Sequence, residues 1–473
     1  MNKASLSRLL AAALAAAVLA PAAAHAQDRV VTPTRLYAAY RDRADSLIDA
    51  ALADSSAYQR LGTLVDRFGH RLSGSRSLED AIDWIAAEMR RDGLENVHTE
   101  PVMVPHWVRG EESAELVSPR RAPIAMLGLG GSVATPAGGI TAPVLVVGSY
   151  EELERRAAEA RGRIVLFDVP FTEYRETVRY RGGGAVAAAK VGAVAALLRS
   201  VSSGSMRNPH TGSTRYDTTV ARIPFAAVSV EDAMMLHRMQ DRGDRPTVKL
   251  VMNAQTLPDA PSRNVVAELR GSERPNEVVV LGGHIDSWDV GQGAMDDAGG
   301  SVAAWQAVLL MKKLGLRPRR TVRVVLWTNE ENGTRGGLAY RDQHRAEVPN
   351  HVLAIESDNG VFKPSGFAFS GPDSALFMVR QIAALTDRIG SGTVTTPGGE
   401  ADIGPIMALG VPGMGLSVDG TRYFWYHHSQ ADMLDKLDPH EMALCVATMA
   451  VMAYVAADMP ERIPMGTPQA AAR

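Results

Sequence analysis

The stretch from Gly282 to Gly300 reads GGHIDSWDVGQGAMDDAGG and places one histidine and four aspartates just after an apolar run. That run, Glu277 to Leu281, contains Val-Val-Val-Leu, which is typical of a strand in a parallel sheet covered on both faces. Open α/β sheets bind ligands at the carboxyl ends of their strands. The sequence therefore predicts half of a metal site here, contributed by His284, Asp286, Asp296 and Asp297.

Further candidate ligands follow later apolar runs or a glycine-bearing loop. They are Glu330 and Glu331 in WTNEENG, Asp358 in IESDNG, and His428 in WYHHSQAD. Imidazoles and carboxylates without a thiolate suit a pair of Zn²⁺ ions, and would also accommodate Mn²⁺ or Co²⁺. A metal pair needs one carboxylate shared between the ions. Each residue alone reads equally well as a loop histidine or a solvated acid, but acids at buried strand ends are disfavoured without a cation, so their joint occurrence favours a metal centre.

Length and composition are ordinary for a soluble enzyme with two domains. A chain of 473 residues exceeds the usual size of a single core, so one large domain and one smaller domain are expected. The hydrophobic fraction of 46% and the net charge of -3 are ordinary, and the charge argues against a nucleic-acid partner. We expect small-molecule or peptide partners.

The first 26 residues have the pattern of a secretory signal peptide. Lys3 and Arg8 precede an Ala/Leu-rich core, and Ala24-His25-Ala26 supplies small residues at the cleavage positions. Cleavage near Ala26 predicts a periplasmic or extracellular protein without a membrane anchor, and no later run is expected to span a membrane. The single cysteine, Cys445, excludes an intramolecular disulfide.

The mature chain divides by composition and apolar pattern into three segments: 27–118, 119–258 and 259–473. The first begins with helical periodicity, in which Ser77 and Asp80 predict the cap of the second helix, and ends in a strand from Asn96 to Val108. The middle segment is rich in Gly, Ala, Pro and Val and predicts an inserted α+β domain, with a helix from Gly182 to Leu198. The alternative is that this segment continues the main sheet.

The third segment alternates strand and helix patterns. Predicted strands are Val265–Leu269, Val278–Leu281, Val322–Trp327 and His351–Ile355, and predicted helices are Gly300–Leu314, Ala375–Thr386 and Pro439–Ala457. Such alternation predicts an α/β fold with a mostly parallel mixed sheet flanked by helices. The candidate ligands fall repeatedly at the ends of the strands.

The motifs GGHIDSWD, GAMDDAGG, NEENG, ESDNG and HHS, with VPHWVRGEESAEL at Val104–Leu116, together resemble the co-catalytic zinc exopeptidases. The likeness in the order of elements covers nearly the whole mature chain. It implies the zinc exopeptidase fold with a protease-associated domain inserted at 119–258. It also implies hydrolysis of dipeptides or short unblocked peptides, and a homodimer.

The resemblance implies a role for each candidate residue, with two Zn²⁺ per chain. His284 and Asp358 would hold one ion, Glu331 and His428 the other, and Asp296 would bridge both. Glu330 matches the general base that takes a proton from a water between the ions, and Asp286 matches the residue that orients His284. The peptide bond after Asp296 is expected to be cis.

One position departs from the family pattern. Many relatives have a tyrosine before the last ligand histidine, where its hydroxyl stabilises the tetrahedral oxyanion, and this chain has His427 there. Three alternatives stay open: the imidazole of His427 takes that role, Tyr426 reaches in, or His427 is packed in the core.

Rival functions are an aminopeptidase acting on longer peptides, a single-zinc amidohydrolase or glutaminyl cyclase, and a non-catalytic binding protein on the same scaffold. The intact ligand set and base argue against the last. The number of metal ions bound per chain separates three of these functions. Two ions are expected for a peptidase, one for a cyclase and none for a binding protein. The sequence leaves open whether a free amine, a free carboxylate or both are recognised.

Overall fold

The computed structural model describes residues 34–468, so the predicted signal peptide and its cleavage site near Ala26 lie outside the described residues. The helices are α1 Arg35–Ala53, α2 Ser56–Phe68, α3 Arg76–Arg91, α4 Tyr150–Arg155, α5 Ala157–Ala160, α6 Tyr174–Lys190, α7 Val230–Asp241, α8 Gly299–Lys313, α9 Arg335–Gln343, α10 Asp373–Ala383, α11 Gly404–Met407, α12 Tyr423–Tyr426 and α13 Pro439–Asp458.

Sixteen strands form two eight-stranded sheets in this part of the chain. They are β1 Glu95–Val108, β2 Glu112–Ser118, β3 Ala122–Ile124, β4 Met126–Gly128, β5 Ile140–Val147, β6 Ile164–Phe167, β7 Ala195–Arg199, β8 Phe225–Val228, β9 Thr247–Met252, β10 Gln255–Leu269, β11 Arg274–His284, β12 Arg320–Trp327, β13 His351–Glu356, β14 Pro364–Ser370, β15 Thr393–Thr395 and β16 Gly413–Val418.

The first sheet has the order β1-β10-β12-β11-β13-β16-β14-β15. Its central strands β12, β11, β13 and β16 run parallel, while β1, β10 and β14 pair antiparallel with their neighbours. The predicted mixed α/β sheet is therefore confirmed. Because the four central strands share one direction, their carboxyl ends meet at one edge of the sheet.

Alternating side chains of the central strands pack into cores on both faces of this sheet. On one face, Val279 and Leu281 of β11 pack with apolar residues of α1, α2, α3, α8, α10 and α13. On the other face, Val278 and Val280 pack with residues from α9 and α11. Both faces are thus covered, which explains the continuous apolar run in β11.

The second sheet takes its strands from β2 to β9, in the order β3-β2-β9-β5-β6-β7-β8-β4. Its β5, β6, β7 and β8 run parallel, with α7 packed on one face and α4 and α6 on the other. The chain enters this sheet after β1 and leaves it before β10, and those two strands pair in the first sheet. The middle of the sequence therefore has its own sheet and cores.

Two local predictions were wrong. The predicted helix Gly182–Leu198 is instead α6, which begins at Tyr174 and ends at Lys190, while Ala195–Arg199 forms the buried strand β7. Close packing explains the last of the three glycines inside this helix, because a Cβ on Gly184 would come within 2.8 Å of Phe225 Cζ. Close approach to the sheet here outweighs the low helix propensity of glycine.

The cap of α3 is Ser75 and not Ser77. Ser75 is extended, with φ -82° and ψ 151°, and its hydroxyl accepts a hydrogen bond from Leu78 N. The hydroxyl of Ser77 instead donates to the carbonyl of His70. The prediction placed the helix start two residues too late because Asp80 follows Ser77 at the spacing of a capping box, whereas Leu78 follows Ser75 at that spacing.

Helix α13 corrects the expectation that no later run could span a membrane. By length and composition it is the one candidate span among residues 34–468, with a mean hydropathy of 1.5 over its most apolar window. However, 89% of that window is buried inside the protein, where the helix packs against α1 and α8. Its apolar surface is explained by its place in the core.

Candidate metal centre

The candidate ligands lie at the carboxyl edge of the first sheet. His284 is the last residue of β11, Glu330 and Glu331 follow β12, and Asp358 follows β13. The bridging candidate Asp296 lies in the turn before α8, and the peptide bond between Asp296 and Asp297 is cis, as expected. His428 comes from the loop after α12 and has a positive φ of 58°. The structure brings these residues, which are distant in sequence, into one buried site.

The first donor group surrounds His284. Its Nε2 lies 3.1 Å from Asp296 Oδ1 and 3.2 Å from Asp358 Oδ1. Its other nitrogen, Nδ1, lies 3.0 Å from the carbonyl oxygen of Asp286. That carbonyl accepts a hydrogen bond from Nδ1–H, which keeps the proton on Nδ1. Nε2 is then free to bind a cation between the two carboxylates.

The second donor group surrounds His428. Its Nε2 lies 2.9 Å from Glu331 Oε2 and 3.3 Å from Asp296 Oδ2. Asp296 thus directs one oxygen to each histidine. Ligands of one tetrahedral zinc ion, at bond lengths of about 2.0–2.2 Å, lie about 3.3 Å from each other, so both groups have suitable spacing.

Backbone amides hold the aspartate pair in place. Asp432 Oδ1 accepts a hydrogen bond from Met295 N at 2.7 Å, and its Oδ2 accepts one from Asp296 N at 3.2 Å. Asp297 accepts hydrogen bonds from His284 N and Gly300 N, both at 3.0 Å. One oxygen of Asp297 also lies near His284 and Asp358, but these two amides already occupy its carboxylate. Asp296 is therefore the better bridging ligand.

Asp286 supports the adjacent glutamates more directly than it supports His284. Its carboxylate accepts hydrogen bonds from Glu330 N at 3.0 Å and Glu331 N at 3.4 Å. The same carboxylate lies 3.7 Å from His284 Nδ1, farther than its own backbone carbonyl. Asp286 thus fixes the turn that separates Glu330 from Glu331. Glu331 points to His428 and accepts a hydrogen bond from Trp288 N on its other oxygen.

The buried acids of the site favour the binding of cations. Burial and the surrounding acids raise the pKa of Glu330 and of Glu331 well above the usual range, and burial raises the pKa of Asp432 to about 7. Burial lowers the pKa of His428 to about 4, which leaves its imidazole neutral and able to bind a metal. Asp296 Oδ2 is buried without a hydrogen-bond donor. Crowded acids, neutral imidazole and an oxygen without a donor fit a site for two zinc ions.

His427 lies beside the centre. Its Nε2 is 3.6 Å from Asp296 Oδ2, and its ring stacks on His428 at 3.5 Å. Its buried Nδ1 has no hydrogen-bond partner within residues 34–468. Burial and the neighbouring His428 hold the pKa of His427 well below its usual value. Tyr423, which the sequence analysis missed, is also buried here, and burial together with the charges of Asp296 and Asp358 raises its pKa well above the usual range.

The second sheet also reaches the centre through contacts that the sequence did not reveal. Arg181 Nη1 lies 3.3 Å from His428 Nδ1. The hydroxyl of Ser213 donates a hydrogen bond to the carbonyl oxygen of Glu331 at 2.9 Å. His210 Nδ1 lies 2.6 Å from the carbonyl oxygen of His427, and Thr211 N donates to the carbonyl of His428 at 2.8 Å. The loops that carry the ligands are therefore braced from both sheets.

Comparison with known proteins places this site in a family. The sequence profile of peptidase family M28 matches residues 264–453. Carboxypeptidase Q of Mus musculus is 49% identical over 428 residues, which cover 90% of this chain and 91% of the relative. The crystal structure of a peptidase M28 precursor from Shewanella amazonensis SB2B superimposes with a TM-score of 0.88 at 34% identity, over 91% of this chain and 100% of that chain.

The chain belongs to peptidase family M28 and is a zinc metallo-exopeptidase. It is similar over nearly its whole described length to carboxypeptidase Q. A zinc aminopeptidase from Bacillus subtilis, BSAP, shares the fold at a TM-score of 0.65 and 19% identity, over 85% of this chain and 94% of that one. The predicted resemblance to co-catalytic zinc exopeptidases is thus confirmed.

Removal of zinc is expected to destabilise the protein in a pH-dependent way. At free zinc about 1,000 times the dissociation constant, binding adds about 4 kcal/mol to the free energy of unfolding. In the zinc-free protein, Glu330 and Glu331 have raised folded-state pKa values. Below the pKa that these glutamates have in the unfolded chain, both are protonated and the folded state is not penalised. As the pH rises through their folded-state pKa values, both ionise inside the site and the free energy of unfolding falls.

Thermal unfolding of dialysed and zinc-loaded protein from pH 5 to pH 8 measures this effect. The gap in Tm should widen as pH rises, because ionised glutamates repel one another without zinc. A gap that narrows on raising the pH would contradict the electrostatic argument.

Proposed function

We propose that this enzyme hydrolyses dipeptides or short unblocked peptides. The observation that carries the proposal is the placement of Asp296 between two donor groups, with Glu330 next to the ligand candidate Glu331. The similarity to carboxypeptidase Q favours cleavage beside a free carboxyl terminus. The predicted signal peptide favours export to the periplasm or the extracellular space, and the family resemblance favours a homodimer.

The proposed ligand assignment follows from the two donor groups. His284 and Asp358 would hold one zinc ion, Glu331 and His428 would hold the other, and Asp296 would contribute one oxygen to each. The carbonyl of Asp286 keeps the proton on His284 Nδ1, and its carboxylate fixes the backbone of the glutamate pair. When bound, the two zinc ions polarise the substrate carbonyl and make an attacking water more acidic.

Glu330 acts as the general base in this proposal. Among residues 34–468, the Glu330 carboxylate forms no ion pair with a histidine. The Glu331 carboxylate, in contrast, contacts His428 Nε2 and accepts a hydrogen bond from Trp288 N. A glutamate carboxylate that is not assigned to a metal ion is available to take a proton. Glu330 takes a proton from water as the oxygen attacks the carbonyl carbon, and it returns that proton to the leaving amine as the C–N bond breaks.

Residues 119–258, which carry every strand of the second sheet except β2, are proposed to form a protease-associated domain that borders the substrate cleft. Arg181, His210 and Ser213 support this because they contact the ligand-bearing loops. Neither of the two possible metal-binding groups found among residues 34–468 includes a residue of this segment. Its role would be to restrict the cleft to short peptides and to position His428.

A substrate panel tests the proposed function. Purified enzyme with measured zinc content is given a dipeptide with both ends free, its N-acetylated form, its C-terminal amide and a longer peptide. We expect the highest kcat/KM for the free dipeptide and two zinc ions per chain. Preference for the longer peptide would favour an aminopeptidase, one zinc ion without peptide hydrolysis would favour a cyclase, and no metal would favour a binding protein.

His427 is expected to donate to the oxyanion. His427→Ala should lower kcat about a hundredfold, the usual loss for one such donor, with little change in KM. His427→Tyr should restore part of kcat, because a phenol donates a hydrogen bond without needing protonation. Steady-state kinetics and Tm at fixed zinc concentration measure both effects.

Tyr423→Phe is the matched control, since the Tyr423 phenol is buried near the same acids. If Tyr423→Phe lowers kcat while His427→Ala leaves kcat unchanged and lowers Tm, Tyr423 is the donor and His427 is a packing residue. Substitution of Tyr426 tests the remaining alternative from the sequence.

A further inference from the structure

A cavity of about 310 Å³ adjoins the metal centre and contains one carboxylate that the mechanism does not use. Its apolar wall includes Leu416, Val418, Tyr423 and Phe424. Three polar side chains, Asn359, Glu400 and Ser417, also line it. A mostly apolar cavity with few polar groups is the usual form of a substrate pocket.

Glu400 lines this cavity together with Asn359. Asn359, which directly follows the ligand candidate Asp358, donates a hydrogen bond to Glu400 Oε1 at 2.8 Å. The acids Asp358 and Glu330 are close enough that, together with burial, they raise the pKa of Glu400 well above its usual range. The carboxyl group is therefore near both the metal centre and the proposed general base.

The surroundings of Glu400 provide no positive side chain. Among residues 34–468, the only hydrogen bond to its carboxylate comes from Asn359, and the charged groups that act on it are acids. Glu400 is partly buried, and a carboxylate with reduced access to water is stabilised by a cation or by several donors. The chain thus leaves this acid to be paired by something that enters the cavity.

The backbone makes room for the carboxylate at this place. A Cβ on Gly415 of β16 would come within 2.1 Å of Glu400 Oε1. Gly415 pairs with Glu356 at the carboxyl end of β13, two residues before Asp358. The strand that forms the cavity floor thus lacks a side chain where Glu400 lies, at the level of the metal ligands.

We propose that Glu400 binds the free α-ammonium group of the substrate and selects peptides with an unblocked amino terminus. In a dipeptide the ammonium nitrogen is two bonds from the scissile carbonyl carbon, so its partner has to lie close to the metal centre, as Glu400 does. The apolar wall then contacts the first side chain. This inference rests on the proposed function and specifies how the free amino end is recognised.

A basic side chain is the competing ligand for a carboxylate in an apolar cavity. The α-ammonium is favoured because Glu400 is hydrogen-bonded to Asn359, the residue that directly follows the ligand candidate Asp358. A pocket for lysine or arginine would place its acid several bonds farther from the reacting carbonyl. Substrates with lysine and norleucine at the first position distinguish the two ligands.

The test compares wild type and Glu400→Gln on a free dipeptide and on its des-amino analogue, in which hydrogen replaces the ammonium group. We expect Glu400→Gln to raise KM for the free dipeptide roughly 10- to 100-fold, as for loss of a hydrogen bond between charged groups. The affinity for the des-amino analogue, measured as a competitive inhibition constant, should be equal in both enzymes. Glu400→Asp should recover part of the affinity, and zinc content should not change.

Glu461→Gln, at an exposed position, is the matched control and should leave KM unchanged. Equal losses on the dipeptide and the analogue, an unchanged KM, or loss of zinc from Glu400→Gln would each overturn the inference. A loss confined to the lysine substrate would assign the cavity to a side chain instead. If the wild type hydrolyses no free dipeptide, the proposed function itself fails, which is a separate result.

Discussion

Replacement of Glu330 by glutamine is expected to lower kcat by roughly 10²- to 10⁴-fold, the usual contribution of a general base, while both zinc ions stay bound. Glutamine keeps the size of the side chain but cannot take a proton. The ligand candidates His284, Glu331 and His428 make their contacts without Glu330, so the metal affinity should be preserved. KM should change little, because the lost interaction belongs to the transition state.

Glu331→Gln is the matched variant, one residue away. Its Oε2 lies 2.9 Å from His428 Nε2, so this substitution should release zinc from one site. Zinc content by elemental analysis and kcat are measured on both variants. If Glu330→Gln loses metal while Glu331→Gln keeps both metal and activity, the two roles have been exchanged.

The parts of the fold that followed from the sequence are those with a local signal. The apolar run before His284 and the run before Glu330 predicted β11 and β12, because strands buried on both faces have few alternatives. A shared strand direction then brings their following residues to one edge, which is why ligands distant in sequence could be grouped. The helix predicted from Gly300 to Leu314 also agrees with α8, Gly299–Lys313.

The features that the sequence did not reveal depend on contacts between distant segments. Arg181 and His210 contact the His427–His428 loop only because the second sheet packs beside the first. The strand β16, Gly413–Val418, was not predicted, since its glycines are disfavoured in strands and are explained only by the side chains that lie over them. Gly184 in α6 misled the prediction for the same reason.

Glu400 illustrates the limit for the site. Nothing in the sequence between β15 and α11 indicates that one acid of this segment lines a cavity together with Asn359. The hydrogen bond from Asn359, 41 residues earlier, is a tertiary contact. The reactive groups could thus be predicted from motifs, whereas the group proposed to select the substrate could not.

Asp296→Asn is expected to release both zinc ions, and this is the second large effect. Each oxygen of Asp296 faces a different histidine, at 3.1 Å from His284 Nε2 and 3.3 Å from His428 Nε2. An amide offers one neutral oxygen, and its NH₂ group cannot bind a cation. Both donor groups therefore lose a charged ligand at once, and peptide hydrolysis should fall below detection.

Asp358→Asn provides the comparison, because Asp358 contacts His284 and not His428. It should lose about one zinc ion per chain and keep the ion that Glu331 and His428 bind. Circular dichroism on both variants verifies that the chain is folded, and zinc is counted after dialysis at equal free metal concentration. A bridging carboxylate predicts a larger loss for Asp296→Asn than for Asp358→Asn. Equal losses of one ion would mean that Asp296 serves a single metal, and the second ion would then need another carboxylate, for which Asp297 would have to give up its hydrogen bonds from His284 N and Gly300 N.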